Sequence, residues 1–253
     1  MSYQWRVTSV RITIVVAAIA AMEWSCRVGW INSHTILSPS TMAATLIERL
    51  SSGAMTADIV ETFTTVVASF ALAVTIGFGA GVTLHALPRL RRAVNPLLAS
   101  YYSIPFFVFY PLLIAIFGLN KIPLILIGFV FAAAAMVLAT LNGLDRVPRS
   151  LDKTARMMRL GRLRSVLFVR LPAAAPYLFA GLKLAVAYAF IGIIAGEFIL
   201  SGGGLGYAIG YAYNNFDNET MYATMLFVLL VAIGMNSGLG AWERRIRRRR
   251  GLA

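Results

Sequence analysis

Apolar residues along this chain fall in long uninterrupted blocks, not in the alternating or one-sided stripes of a water-soluble fold. Residues 62–88, 93–120, 122–144 and 220–242 contain no Asp, Glu, Lys or Arg. At 1.5 Å of rise per helical residue, each block is long enough to cross a hydrocarbon core about 30 Å thick. A fifth block, 171–196, is interrupted only by Lys183. The first, 12–22, is too short to cross alone. Glu23 and Arg27 follow it at a spacing of four with the acid first, the orientation that pairs well on a helix surface. That pair lets the helix continue towards Trp30, and Trp24 and Trp30 suit a membrane interface. The blocks together predict an all-α polytopic membrane protein with about six spanning helices.

The connections carry their own signals. Within the 31–57 connection, Ser38-Pro39-Ser40 predicts the start of a short surface helix. Asp58 and Glu61 have capping-box spacing at the head of the second span. Pro105 and Pro111 remove backbone donors from the third and predict a kink there. Gly118-Leu119-Asn120-Lys121-Ile122-Pro123 reads as a tight turn into the fourth. No small-x-small cleavage site surrounds Glu23-Trp24-Ser25-Cys26, so the first block reads as an uncleaved span. Gly77 with Gly81, and Gly192 with Gly196, permit close helix contact.

Composition narrows the class further. Hydrophobic residues make up 59% and charged residues 13%, against roughly 25% charged in an ordinary soluble domain. The mean hydropathy is +0.76. These values exclude a soluble enzyme and a disordered chain, and the single cysteine, Cys26, excludes a disulfide scaffold. Of the 23 Lys and Arg, 19 fall at positions 6 and 11, in 89–92, in 146–170 and in 244–250; the others are Arg27, Arg49, Lys121 and Lys183. Glu48, Asp58, Glu61, Asp217 and Glu219 lie in the alternate connections. The positive-inside rule then places both termini and the basic segments in the cytoplasm. A net charge of +13 invites a nucleic-acid reading. The 244–250 run directly follows a span, however, where anionic headgroups attract each cation by about 1 kcal/mol. It is therefore read as a membrane-lipid anchor and not as a nucleic-acid site.

No His/Cys/carboxylate cluster has metal-ligand spacing; His34 and His85 stand apart. Ionisable groups inside a membrane are costly and are functional candidates for that reason. Glu197, near the end of the fifth span, reads either as a gate or subunit-contact residue or as a cap on the polar turn 201–206. Lys183 reads either as a pathway contact or as a side chain reaching for the interface. Tyr101, Tyr102, Phe106, Phe107, Phe109 and Tyr110 crowd the third span, as packing or as a pathway lining.

The basic connection 145–170 is the most informative one. Ser150 is a candidate N-cap after Pro148, Leu151, Ala155 and Met158 share a helical face, and Gly161 can end that helix in a left-handed cap. A second short helix, about 163–170, ends at Leu171-Pro172. Two short amphipathic helices need cover for an apolar face, from a partner or from the inner leaflet.

The stretch TARMMRLGRLRSVLFVRLPAAAPYLFAGLKLA resembles the cytoplasmic loop of permease subunits of binding-protein-dependent ABC importers. GIIAGEFILSGGGLGYAIGYAYNNFD and ILSPSTMAATLIERLSSG resemble the nitrate/sulfonate/taurine branch of that family. The resemblance runs from about 36 to 248. It implies an N-terminal tail and first span over 1–30, an external connection over 31–57, a permease core over 58–248 with its coupling loop at 145–172, and a basic tail end at 249–253. It further implies two copies of the chain forming a pathway, two cytoplasmic ATPases gripping the loops, and a soluble binding protein delivering solute. ATP is expected in the partner subunit, with no cofactor in this chain. Leu200-Ser201-Gly202-Gly203-Gly204 resembles an ATPase signature segment, yet the G-x-x-x-x-G-K-[ST] phosphate loop is absent. The chain is therefore not expected to hydrolyse ATP. The family's loop opens with Glu-Ala-Ala, has a glycine four residues later and closes with Leu-Pro. Anchored on Leu171 and Pro172, those positions fall on Lys153, Thr154 and Ala155, and the glycine falls on Arg159, two residues before Gly161. The acid-to-base change implies a divergent ATPase partner, a shifted register using Asp152, or weakened coupling. A secondary transporter is the alternative reading.

Overall fold

The computed structural model describes residues 3–31 and 36–249; His34 and the end of the basic tail lie outside that range. Five helices are long and apolar enough to cross a membrane: Ser9–Arg27, Thr56–Ala86, Lys121–Asp145, Val166–Ile199 and Asn218–Arg245. A shorter apolar helical stretch covers Phe106–Phe117. No strand occurs among the described residues.

The core is made by α3 (Thr56–Ala86), α6 (Lys121–Asp145) and α9 (Leu171–Leu200), with α6 in the middle. Lipid tails are as apolar as leucine, so helices in a bilayer associate through close fit instead of apolar burial. Small residues provide that fit here. A Cβ at Gly77 would meet Met136, one at Gly81 would meet Thr140, and one at Gly192 would meet Phe131. Ser69 Oγ adds a hydrogen bond across to the Ile125 carbonyl at 3.0 Å. Outward-facing Val67, Ile76, Ile191 and Leu229 remain more than half exposed, as a lipid-facing surface requires.

The contacts also fix helix directions. Gly77 faces Met136 and Gly81 faces Thr140, so α3 and α6 run parallel. Gly128 faces Ile193 while Gly143 faces Tyr177 and Ala174, so α9 runs antiparallel to α6. Two consecutive spans can be parallel only if the chain recrosses between them. The 93–120 block supplies that crossing, but not as the single kinked helix its prolines predict. It splits into α4 (Pro88–Ser100), a 3₁₀ turn at Tyr101–Ser103, a second at Phe106–Phe109, and α5 (Tyr110–Phe117). Pro105, at ψ 78°, stands outside helical space between the two turns. Pro111 begins α5, where its missing N–H costs nothing.

α1 (Tyr3–Arg27) stands apart and touches the rest mainly through α2 (Pro39–Ser51). The Glu23–Arg27 pair forms at 2.7 Å. Glu23 also receives the Ser40 hydroxyl and amide, tying the end of α1 to the start of α2. Ser38 caps α2 through Thr41 N, and Leu46 packs with Met55, Leu205 and Ala223. The capping box expected from Asp58 and Glu61 does not form. α3 has no side-chain cap, and both acids reach across to other segments.

Candidate functional site

The ends of the core helices gather into two unlike faces. At one face lie the starts of α3, α6 and α11 (Asn218–Arg249), the end of α9, and α10 (Leu205–Asn214). Ser201-Gly202-Gly203-Gly204 turns the chain back so that α10 lies against the last turns of α9. Gly204 takes φ +95°, a conformation open to glycine. Gly206 sits so close to the Ile194 carbonyl that no Cβ would fit.

This hairpin lacks a local cap; its first N–H groups are satisfied by side chains from other helices. Thr62 Oγ1 of α3 accepts from Leu205 N at 2.8 Å and donates to Glu197 Oε2 at 2.8 Å. Glu197 Oε2 also accepts from Gly206 N at 3.0 Å. Asp58 Oδ1 accepts from Gly204 N at 3.2 Å. A carboxylate at a helix N-terminus meets both orphan donors and the positive end of the helix dipole. Glu197 is fully buried, and its Oε1 is left without a hydrogen-bond partner. Sequence spacing could not find this arrangement, since Thr62 and Glu197 are 135 positions apart.

Beside the turn opens a cleft of about 550 Å³ lined by Glu61, Tyr110, Asn120, Lys121, Ser201 and Gly203 among others. Glu61 and Lys121 approach to 3.8 Å across it. Asn120 caps α6 through Ile122 N at 2.8 Å, so the tight turn expected at 118–123 is in place. At the rim, Arg49 Nη1 donates to Thr220 Oγ1 at 2.7 Å, joining α2 to α11. Asp217 accepts from Thr220 N at 3.1 Å. The Thr220 hydroxyl and amide hold the Asp217 carboxyl below the usual aspartate value, against a smaller opposing effect of burial.

The opposite face is basic. Asp145 closes α6 and accepts a bidentate pair from Arg91 at 2.6 and 2.9 Å, with His85 Nδ1 at 3.1 Å. One carboxylate thus ties the end of α3, the start of α4 and the root of the basic loop. Lys183 lines a crevice between α9 and α11 with Met235 and Asn236. Its Nζ lies beside Gly240, towards the cationic end of α11.

The loop itself departs from the expectations at four points. α7 (Arg149–Met157) starts directly after Pro148 with no side-chain cap, so Ser150 lies inside the helix; the serine carbonyl accepts from Thr154 Oγ1. On the expected apolar face Ala155 is buried at 2% exposure, whereas Met158 is 67% exposed. The left-handed residue is Arg159, at φ +49°, not Gly161. α7 ends one turn earlier than Gly161 allows, so the reversal falls on the arginine. Finally, the second helix does not stop at Leu171-Pro172. α8 (Arg162–Ser165) passes through a π-helical turn at Val166–Arg170 directly into α9. Pro172 follows this π-helical turn directly, as the second residue of α9. Lys153 and Thr154 are exposed; the Asp152 side chain lies outside the described ones.

Tyr101 and Phe106 sit at the break in the third crossing. Tyr101 Oη donates to the Val130 carbonyl at 2.5 Å. The Tyr101 and Phe106 rings lie 4.8 Å apart, and Phe107 packs at a tilt against Phe131 at 4.9 Å. These contacts brace the broken segment against α6. The Tyr102 side chain lies outside the described ones.

A family model described as binding-protein-dependent transport system inner membrane component matches residues 73–250. Among curated relatives, the chain is similar to the nitrate import permease protein NrtB of Leptolyngbya laminosa, 28% identical over 72% of this chain and 65% of the relative. It is also similar to the bicarbonate transport system permease protein CmpB of Synechococcus elongatus, 27% identical over 69% of this chain and 62% of the relative. The chain thus spans somewhat under two thirds of the length of these relatives. A probable ABC transporter permease of Brucella melitensis is 24% identical over 95% of this chain and 98% of its own length. A chain of the MetNI methionine ABC transporter, solved in inward-facing conformations, shares the fold. Its TM-score is 0.63 at 24% identity, covering 75% of this chain and 94% of that one.

Proposed function

The chain belongs to the family of binding-protein-dependent transport system inner membrane components, and from this we propose that it is the multi-pass permease subunit of an ABC importer for a small anion. The observation that carries this reading is the family match itself, because 73–250 contains α6, α9, the hairpin at Glu197 and the basic loop together. The nitrate and bicarbonate named for similar permeases support an anionic solute of that class; an organic sulfonate, or the zwitterion taurine, shares the oxyanion head.

In this scheme the basic face and both termini are cytoplasmic, following the cation asymmetry. Two copies enclose the pathway. A soluble binding protein delivers solute at the acidic face, and two cytoplasmic ATPases receive the loops. Closure of the ATPases on ATP moves the loops as levers. Because α8 continues into α9 through the π-turn, a push on the loop reaches α9 and, through Glu197, α10 and α3 at the far face. This is a two-state transition biased from a distant site, with access alternating between the faces. Glu197 acts as the pin that makes α3, α9 and α10 move together at the outer mouth. Lys183 presents a cation at the inner end, and Tyr101 and Phe106 hold the broken crossing in place.

The test is reconstitution in proteoliposomes with the ATPase and binding protein encoded alongside. Uptake is expected only with ATP and all components, with hydrolysis rising when loaded binding protein is added. Uptake that an ion gradient drives without any ATPase would overturn the proposal in favour of a secondary transporter.

A further inference from the structure

Lys183 is the one charged residue in the apolar block 171–196, and the structure gives its head group a companion. A Cβ on Gly240 of α11 would lie 3.7 Å from Lys183 Nζ and 3.6 Å from Arg244 Nη1. Two cationic heads therefore gather over one glycine. Neither takes part in an ion pair among the described residues. Like charges this close repel, and an anion between them would replace that repulsion with charge-assisted hydrogen bonds.

The helices set the depth of this pair. At 1.5 Å per residue, Gly240 lies about 33 Å along α11 from Asn218, which matches the far edge of a hydrocarbon core about 30 Å thick. Trp242, half-exposed, meets Phe179 edge-on with ring centroids 5.2 Å apart, and exposed tryptophans of this kind mark the headgroup level. From the two cations the crevice between α9 and α11, about 90 Å³ in volume, runs back into the membrane core. Its walls are Val186, Phe190 and Ile191 of α9 with Ala232, Met235 and Leu239 of α11. Ile191 is 55% exposed, and the flanking Leu184 and Ile233 are about half exposed, so the chain leaves this side open. A small solute such as nitrate is polar all round and would find only Asn236 beyond the cations. An amphiphile with an anionic head and a hydrocarbon tail matches both parts.

We propose that the crevice between α9 and α11 binds an anionic phospholipid. Its phosphate lies between Lys183 and Arg244, and an acyl chain fills the apolar crevice. Basic pockets between spanning helices on the cytoplasmic side suit such headgroups, and the cation asymmetry of the chain assigns this one to the inner leaflet. The site goes beyond the permease reading and does not depend on which solute is carried.

The experiment uses the full-length permease in a neutral maltoside micelle, titrated with phosphatidylglycerol or phosphatidylcholine, with retained lipids counted by native mass spectrometry. Expected is one phosphatidylglycerol held about tenfold more tightly than phosphatidylcholine. Lys183→Met keeps an unbranched apolar stem without the charge and should erase that preference. Ala187→Phe fills the crevice and should weaken both lipids while leaving both cations in place. Arg247→Ala/Arg248→Ala removes cations of the tail beyond the site and should leave the tight lipid bound. A preference that survives Lys183→Met, or that the tail variant abolishes, overturns the site and assigns the attraction to the basic tail. Retention that Ala187→Phe leaves unchanged overturns the crevice as the seat of the chain. Displacement of the lipid by millimolar nitrate also overturns the proposal, by assigning the cations to the solute. So does a disulfide between the Ile191→Cys positions of two copies in a Cys26→Ser background, which would close the crevice with protein. None of these outcomes decides the permease reading, which reconstitution tests separately.

Discussion

Gly181, in the middle of α9, and Gly161, just before α8, mark two regions with different rules. A methyl group on Gly181 would press into Ala139 of α6, whereas one on Gly161 would meet nothing within 4 Å. The first glycine belongs to a core whose partners are all within the chain, where helix spacing is set atom by atom. The second belongs to a loop where Met157 and Met158 stand largely exposed. Sequence change in the core is therefore limited by what the chain already contains. In the loop that internal limit is weaker, since a methyl group at Gly161 would meet nothing within 4 Å.

The sharpest break of this contrast is Glu197→Ala. It removes the acceptor for two buried donors, Thr62 Oγ1 and Gly206 N, and should cost about 3 kcal/mol in unfolding measured in detergent micelles. Glu197→Gln keeps an acceptor oxygen and should lose less than about 1 kcal/mol. If glutamine is as damaging as alanine, it is the negative charge at the head of α10 that matters, not the hydrogen bonds. Next in size is the matched pair. Gly181→Ala should destabilise by about 2 kcal/mol through overpacking, while Gly161→Ala should stay within about 0.5 kcal/mol of wild type. Equal melting temperatures for the two would erase the distinction between core and loop.

The smallest effect tests the acidic face. Asp217 caps α11 and titrates below the usual aspartate value because it is hydrogen-bonded to Thr220. A group lowered on folding contributes stability that is fully present above its unfolded value, about 3.9, and is lost as pH falls through its folded value. Asparagine caps helices as well as aspartate does. Asp217→Asn should therefore match wild type at pH 7 and show a shallower loss of stability below about pH 4. Parallel acid limbs for the two proteins would show that the cap does not depend on ionisation.

Much of the architecture was legible from one dimension. The blocks free of charge mark α3, α6 and α11, and the block broken only by Lys183 marks α9, because a spanning helix must satisfy every backbone group internally and show lipid an apolar surface. Ser38-Pro39-Ser40 located α2, and the glycine pairs marked close contacts that the structure contains. Other readings failed where a residue had a better offer from a distance. Asp58 fits a capping box by spacing, but Gly204 N, 146 positions away, takes its side chain. Gly161 is the expected left-handed residue, yet α7 ends early enough that Arg159 carries the turn. The prolines of the third crossing predicted a kink, and the segment instead unwinds into two turns that aromatic contacts to α6 hold in place.

By itself the sequence determined how many times the chain meets the membrane and which ends carry the cations, since both follow from the cost of putting charge in hydrocarbon. Only the tertiary structure decided that α3 and α6 run parallel, that Glu197 holds the head of α10, and that Ala155 is buried while Met158 beside it on α7 is exposed. Those outcomes depend on which surfaces meet in space, and no local spacing records that.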